Sequence, residues 1–296
     1  MGISHGKNEI FEKSLKDIFQ THQHYPEVLK NNPELSRFFE SVNYSLLGGG
    51  KRFRPHLVFA VAESYKHSIE NILPLAIAIE MIHTYSLIHD DLPCMDNDSE
   101  RRGKPTNHVV YGDAVALLAG DALLTEAFSF LAKSYAHQPK LGMELLLLLG
   151  EAAGVRGMIG GQVLDILTKD YLNTEQIMKM LEMKTGALIR LSIEASAAVV
   201  LHDQDPKKKS EIQNLWKKLG ELVGLSFQLA DDLLDYDQQK KDLRNFASAT
   251  SVEETKNLLT VIEKEAKEIL EKLTDLEKIN TENFKQIIDY NLTRKT

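Results

Sequence analysis

This sequence predicts an all-α protein, and three features carry that expectation. Apolar residues recur at spacings of three and four, as in Leu164, Ile166 and Leu167 or Leu215, Leu219, Leu222 and Val223, which is the period of one helix face. There is no sustained period-two alternation, and no Asn-Gly or Asp-Gly pair to turn a hairpin. All eight prolines (26, 33, 55, 74, 93, 105, 139 and 206) fall at or before position 206, so the last third of the chain is free to form long helices.

Taken in chain order, the first break is the glycine run Gly48-Gly49-Gly50. The apolar run from Ile72 to Ile88 follows, interrupted by Pro74, Glu80 and His83, and reads as a core helix. Breaks then fall around Pro93 to Pro105, at His137-Gln138-Pro139, near Lys169 to Asn173 and at Asp203 to Lys209. The apolar run Leu145 to Leu149 is a second core segment, and Lys207-Lys208-Lys209 reads as a solvated loop. Glu and Lys interleave from Ile262 to Leu273, the pattern of a solvated surface helix. No break is linker-like, so residues 1–296 are expected to form one domain, a bundle of helices roughly ten to twenty-five residues long.

Composition narrows the function. The chain has 296 residues, 35 basic and 43 acidic, for a net charge of −8; this acidic balance argues against non-specific nucleic-acid binding. A single cysteine, Cys94, excludes an internal disulfide framework and a zinc-finger arrangement and favours a reducing, cytoplasmic setting. The N-terminal Met1-Gly2-Ile3-Ser4-His5-Gly6 lacks the Ser or Thr of a myristoylation signal and the apolar stretch of a signal peptide. No run is expected to be long and apolar enough to span a membrane.

The chemistry is concentrated in two aspartate clusters. The first is Asp90-Asp91-Leu92-Pro93-Cys94-Met95-Asp96, with Asn97 and Asp98 behind it; the second is Asp231-Asp232-Leu233-Leu234-Asp235. Each follows an apolar helical run. On a helix, Asp231 and Asp235 lie about 40° apart and share a face, which Gln228 joins, whereas Asp90 and Asp96 lie about 120° apart. The break that Pro93 supplies is needed to bring the latter pair together. Adjacent carboxylates repel, and a hard divalent cation relieves that repulsion; Mg²⁺ takes one or two carboxylates plus substrate phosphates.

Cations flank the first cluster. Arg101 and Arg102 follow it, then Gly103-Lys104-Pro105. Upstream, the glycine run leads into Lys51, Arg52 and Arg54, with Lys51 and Arg54 on one side of a helical turn. Carboxylates for metal beside Arg and Lys are the composition of a diphosphate site. The glycines do not form the P-loop pattern.

These segments resemble the trans-isoprenyl diphosphate synthases, the polyprenyl synthetase family, and within it the bacterial farnesyl diphosphate synthase branch. The matching strings are GGGKRFRP at 48–55, EMIHTYSLIHDDLPCMDNDSERRGKPTNH at 80–108, LLAGDALL at 117–124, GGQVLD at 160–165, KTGALIR at 184–190 and FQLADDLLDYD at 227–237. They run in order from about residue 40 to 240, and two aspartate-rich motifs in one chain are the family's signature. Terpene cyclases share the first motif but typically replace the second with an Asn/Ser/Glu pattern, which does not stand at 231–235.

The resemblance implies an isoprenoid synthase-type bundle of ten or more helices around a deep central cavity, usually as a homodimer. It implies head-to-tail condensation of isopentenyl diphosphate with an allylic diphosphate, with three Mg²⁺ ions held by Asp90 and Asp96 on one wall and Asp231 on the other. Asp91, Asp232 and Asp235 would support the metal through waters or a second layer. By position, Lys51, Arg54, His83 and Arg102 match the isopentenyl diphosphate site, and Arg101, Lys184 and Gln228 match the allylic side. Lys184 and Thr185 match a pair whose oxygens face the carbocation, and Gly186 suits a kinked helix there. Taken alone, His83 would be a core histidine and Lys184 a surface lysine. Tyr85, five residues before Asp90, stands where a bulky aromatic goes with farnesyl product, together with the two extra residues Pro93 and Cys94 in the first motif.

One segment departs from the pattern. After Asp237 the family continues through GKxxGKD and GKxTYP, whereas residues 238–246 are shorter and contain neither glycine nor Thr-Tyr-Pro. Lys241-Asp242 stands for the final Lys-Asp pair, with Lys240 or Arg244 as replacements for a missing lysine. EMIHT and LPCMDND read more like plant-type geranylgeranyl synthases, so that product remains an alternative. The others are a longer-chain synthase, a prenyl-chain cyclase and a non-catalytic subunit of a partner synthase.

Overall fold

The computed structural model describes residues 5–20, 32–168, 173–237 and 244–293. As predicted, the described residues are mostly α-helical; the breaks at 48–50, 93–105 and 137–138 fall between helices, and most of 169–173 lies outside the described residues. Helix α1 (His5–Leu15) continues into a π-helical turn (Lys16–Gln20), followed by α2 (Pro33–Leu46), α3 (Phe53–Ser64) and α4 (Ile69–Asp90). A two-residue hairpin, β1 (Glu100–Arg101) and β2 (Lys104–Pro105), precedes α5 (Asn107–Tyr111) and α6 (Asp113–Ser134). The remainder is α7 (Pro139–Ala153), α8 (Met158–Leu167), α9 (Thr174–Leu181), a π-helical turn (Glu182–Gly186), α10 (Ala187–Val200), α11 (Pro206–Leu234), α12 (Phe246–Ala249), α13 (Val252–Glu277) and α14 (Glu282–Thr293).

Two compact units are formed. The first comprises Met1–His56 and Leu73–His137, the second Leu57–Ile72 and Gln138–Thr296. In the first, Phe11, Leu15 and Phe19 of the N-terminal helix are fully buried, as are Leu75, Ile79 and Ile82 of α4. Asn107 fastens α5 to α2: its amide donates to the Ser41 carbonyl and the Ser45 hydroxyl, both at 2.8 Å, and its oxygen accepts from Ser41 Oγ at 2.7 Å. The Tyr44 hydroxyl donates to the Pro105 carbonyl at 2.7 Å, which anchors the hairpin.

In the second unit, α10 is buried along most of its length and packs on α11. Trp216 of α11 is fully buried; its Nε1–H donates to the Tyr65 hydroxyl at 3.1 Å and its ring meets Phe284 edge-on at 5.6 Å. A residue of this size and burial dominates its local packing energy.

Three expectations need correction. Lys207, Lys208 and Lys209 are not a loop but the first turn of α11, where Pro206 takes N1 and Asp205 accepts from the Lys207 and Lys208 N–H groups at 3.1 and 3.3 Å. Three cations oppose the helix dipole there, and the ion pairs Lys208–Glu277 (2.8 Å) and Lys209–Glu144 (2.9 Å) offset this. The surface helix around Ile262–Leu273 is amphipathic: Ile262, Ala266, Leu270 and Leu273 are buried while Lys267 pairs outward with Glu263 and Asp289. Finally, Pro74 does not interrupt the apolar run. It lies inside a 22-residue α4, and both α4 and α6 are long and apolar enough to cross a bilayer; 67% of the α4 window is buried within the protein, as for a core helix, and 33% of that in α6.

Candidate active site

The first aspartate cluster begins where α4 ends. Past Asp90 the chain folds back through Leu92 and Pro93, and the Asp96 N–H donates to the Asp90 carbonyl at 2.9 Å. Asn97 then accepts a left-handed φ of 55°, which an Asn tolerates better than most residues. The break at Pro93 thus brings the Asp96 backbone back to the helix end at Asp90. Asp91 turns inward, 4% exposed, and receives Arg101 Nε at 2.6 Å; Arg101 also reaches Asp98 at 3.1 Å. Burial pushes the Asp91 carboxyl up, against the pull of Arg101. The same ion pairs more than offset the burial of Arg101 and hold its guanidinium above its ordinary value.

Arg101 and Arg102 are delivered by a hairpin with no Asn-Gly signal. Arg102 and Gly103 take φ of 56° and 73°, two consecutive left-handed residues, as in a type I′ turn. The Arg102 guanidinium then lies against Gly50 and donates to the Gly49 carbonyl. Gly50 has φ of 134°, a backbone conformation that favours glycine, and a Cβ there would displace the Arg102 guanidinium. A cleft of about 470 Å³, open to solvent, is lined by Tyr44, Ser45, Thr84, Asp91, Arg101 and Arg102, among others.

Next to Arg102 sit Arg54 and His83. Arg54 Nε is out of reach of solvent and has no hydrogen-bond partner among the described residues. Burial pushes Arg54 down to about 10; Glu80 opposes this and Arg102 adds to it. Burial, then the charges of Arg54, Arg102, Arg52 and Arg101, push His83 well below its ordinary range, so it is a neutral imidazole. Lys51 is exposed at the entrance to the same segment. A buried guanidinium N–H without an acceptor is costly, and an anion that reached it would relieve that cost.

The second cluster closes α11. Asp231 is half-buried, Asp235 exposed, and Asp232 is 6% exposed. Asp232 accepts from the Phe246 N–H at 2.7 Å and from Gln228 Nε2 at 3.3 Å, and its own carbonyl accepts from Asn245 at 2.8 Å. Burial pushes its carboxyl up to about 6 against the first two bonds, and Asp231 and Asp235 add to the rise. Gln228 therefore serves Asp232 rather than the Asp231–Asp235 face.

Near Gly186, where a kink is expected, the chain takes a π-helical turn, Glu182–Gly186, which carries Lys184 and Thr185. Lys184 Nζ pairs with Asp165 of α8, and Arg244 reaches the same carboxylate at 3.2 Å. Two glycines let the elements meet: Gly161 has no room for a Cβ against the Lys184 backbone, and a Cβ on Gly224 would lie 2.9 Å from Gly186 Cα. A π-turn in a helix commonly marks a functional position.

Among the described residues, no group of three or more His, Cys, Asp and Glu is gathered tightly enough to hold a metal by itself. A family model described as polyprenyl synthetase matches residues 36–291. The chain belongs to the polyprenyl synthetase family. It is 40% identical over 278 residues to a farnesyl diphosphate synthase of Micrococcus luteus, covering 90% of this chain and 92% of that one. Its identity to a geranylgeranyl diphosphate synthase of Cyanophora paradoxa is 38% over 254 residues, covering 81% and 82%. The fold superposes on the crystal structure of an FPP/GFPP synthase from Zymomonas mobilis with a TM-score of 0.82, at 33% identity over 96% of each chain.

Within this polyprenyl synthetase, the first unit sets Arg54, Arg101 and Arg102 where their charges act on His83 of α4, and the second brings Lys184 to Asp165. Tyr85 is 4% exposed and meets the His89 ring edge-on at 5.7 Å. Lys241 lies outside the described residues. Sequence reasoning missed the ion cluster that buried Arg52 and Glu80 form with half-buried Glu12, and it gave Asp165 no role. The inward pull of Asn245 and Phe246 on Asp232 had no local signal either.

Proposed function

We propose that this chain is a Mg²⁺-dependent prenyltransferase joining isopentenyl diphosphate head-to-tail (1′-4) to dimethylallyl or geranyl diphosphate, with farnesyl diphosphate as product. The observation that carries this reading is Arg54, whose Nε is buried with no hydrogen-bond partner among the described residues, within the field of Arg102, which with Arg101 follows the carboxylates that end α4. Kinship to farnesyl diphosphate synthases over nine tenths of the chain supports the product assignment. Both compact units would serve this one reaction as a single domain over 1–296.

Lys51, Arg54, His83 and Arg102 would hold isopentenyl diphosphate; Arg101, Lys184, Gln228 and Lys241 would hold the allylic diphosphate. Neutral His83 contributes a hydrogen bond, not a charge. The carboxylates fit Mg²⁺ in the sparse manner this ion favours, few protein oxygens and several from substrate. Asp90, Asp96 and Asp231 would be direct ligands and Asp91, Asp232 and Asp235 supports; the ties of Asp91 to Arg101 and of Asp232 to Phe246 agree with that division. Bound Mg²⁺, three ions by family likeness, would act as a Lewis acid on the departing diphosphate. The allylic C1–O bond breaks, the isopentenyl double bond forms the new C–C bond through C4, and the C2 proton leaves to the released diphosphate. Lys184 and Thr185, on the widened turn, would offer oxygens to the cation, and Arg101 and Arg102 would stabilise the charge that develops on diphosphate.

Tyr85 would set the floor for the growing chain. Exposed Leu117 and Leu118 on α6, at 46% and 55%, support a homodimer in which that face is covered, and the lone exposed Cys94 supports a cytoplasmic setting. The experiment is turnover of labelled isopentenyl diphosphate with each allylic primer, with and without Mg²⁺, reading product chain length. Farnesyl product that requires Mg²⁺ supports the proposal. Geranylgeranyl product would overturn the role of Tyr85, and no incorporation with any primer would favour a non-catalytic subunit.

A further inference from the structure

Arg52 is the cation of the Lys51–Arg54 segment with no part in the reaction above, yet it is the most completely buried. Its side chain is out of solvent altogether. Nη1 donates to Glu80 at 2.7 Å, Nε to Glu12 at 2.7 Å and Nη2 to the Leu46 carbonyl at 2.9 Å, while the guanidinium carbon stands 5.7 Å over the Phe11 ring. The backbone is left-handed at φ 48°, a conformation costly for a residue with a Cβ and kept only when its surroundings demand it. One residue thus joins three pieces of chain: α1 through Glu12 and Phe11, the last residue of α2 through the Leu46 carbonyl, and α4 through Glu80.

Glu80 gives the cluster its consequence. It is 1% exposed and lies one helical turn before His83, and its charge acts on Arg54 and Arg102 as well as on Arg52. A buried carboxylate so placed will neutralise whichever cation it meets. Arg52 occupies it at hydrogen-bond distance, and Glu12 balances the second half of the Arg52 fork.

We infer that Arg52 is a positioning residue for the isopentenyl diphosphate site: with Glu12 it holds Glu80 engaged, leaving Arg54 and Arg102 for the substrate and making α1 part of that site. This rests on the assignment of Lys51, Arg54, His83 and Arg102 to isopentenyl diphosphate. Without Arg52, Glu80 turns to Arg54 or Arg102 and competes with the diphosphate. A second substitution that removes the Glu80 charge then restores binding.

The test is a KM comparison for R52Q, E12Q and R52Q/E80Q against the parent enzyme, alongside calorimetric binding of inorganic diphosphate without divalent metal and a melting curve for each. R52Q is expected to raise KM for isopentenyl diphosphate by about tenfold or more, with allylic KM changed less than about twofold. E12Q, at a half-buried position, is expected to shift the same constant in the same direction by about two- to threefold. R52Q/E80Q is expected to recover most of the loss. Equal changes in both KM values, or a double variant no better than R52Q, would overturn the inference and leave Arg52 a purely structural residue. If R52Q does not fold, E12Q and R52Q/E80Q decide the matter. Should the parent enzyme fail to incorporate isopentenyl diphosphate, the functional reading fails; metal-free diphosphate binding then still reports whether R52Q weakens the anion site and R52Q/E80Q restores it.

Discussion

The imidazole of His89 lies directly on Gly120, where a side chain would have no space. Its Nε2–H donates to the Leu117 carbonyl at 2.9 Å, so α6 and the last turn of α4 are locked together one residue before Asp90. A Cβ on Gly120 displaces the ring, breaks that bond and shifts the backbone from which the first aspartate cluster starts. Gly120→Ala is expected to cost about 1–3 kcal/mol, the usual penalty of overpacking. It should also raise the Mg²⁺ concentration needed for half-maximal turnover. Thermal unfolding and a Mg²⁺ titration check this, and adding His89→Ala is expected to restore stability but not the metal response.

Arg54 carries a burial cost that its proposed role in holding diphosphate would account for. Its Nε has no partner, and burial together with Arg102 disfavours its charge. Arg54→Gln removes the charge at little volume cost, so its melting temperature is expected at or above that of the parent. Turnover at low isopentenyl diphosphate should fall by about a hundredfold, the worth of about two charge-assisted hydrogen bonds to diphosphate. A melting curve and a KM determination give both halves; a destabilised variant with unchanged KM would refute the assignment.

Tyr85 separates a hydroxyl from a ring. The hydroxyl is buried without a partner, and burial, with the nearby charge of Asp90, pushes its ionisation up to about 12. Tyr85→Phe removes a polar group that gains nothing from the interior, and is expected to unfold no earlier than the parent and to keep its product. Tyr85→Ala empties the volume, costs about 3–5 kcal/mol and should extend the product beyond farnesyl. Chromatography of the extracted prenyl alcohols from both variants checks the pair.

Much of this was legible in the sequence because glycine and proline punctuate helices. The run Gly48–Gly50, Pro93, Pro139 and Pro206 each stand at a real break, and the clusters at Asp90 and Asp231 sit where apolar helices end. Lys207–Lys209 was misread because three lysines suggest solvent; the stronger signal was Asp205 and Pro206 ahead of them, a cap followed by proline at N1. The hairpin escaped notice because Arg102-Gly103 forms a left-handed turn with an arginine that Gly49 and Gly50 stabilise from 53 residues away. Arg52 was invisible for the same reason. Its partners Glu12 and Glu80 are 40 and 28 residues distant, and no local pattern distinguishes a buried guanidinium from Lys51 and Arg54, the cations on either side of it that are proposed to bind substrate.

His56 makes stability depend on pH. It is 5% exposed; one ring nitrogen meets Asn8 at 3.0 Å and the other is buried without a partner. Burial, assisted by the charge of Lys7, pushes it down to about 4 from an ordinary 6.5. The unfolded chain therefore binds more protons than the folded one between these values, and stability falls as pH falls through that window. The contribution is intact above about pH 6.5, and by pH 4 about 2–3 kcal/mol of it is lost. His83 and His67 shift the same way and add to the slope, while Asp91 and Asp232, raised by burial, oppose it. The difference between the parent and His56→Gln isolates the one residue. In urea unfolding at pH 7.5 and pH 5, the parent is expected to lose more stability than the variant, by about 1–2 kcal/mol. Equal losses in the two proteins would mean that His56 is protonated in the folded state, with Asn8 as acceptor and the second nitrogen open to water.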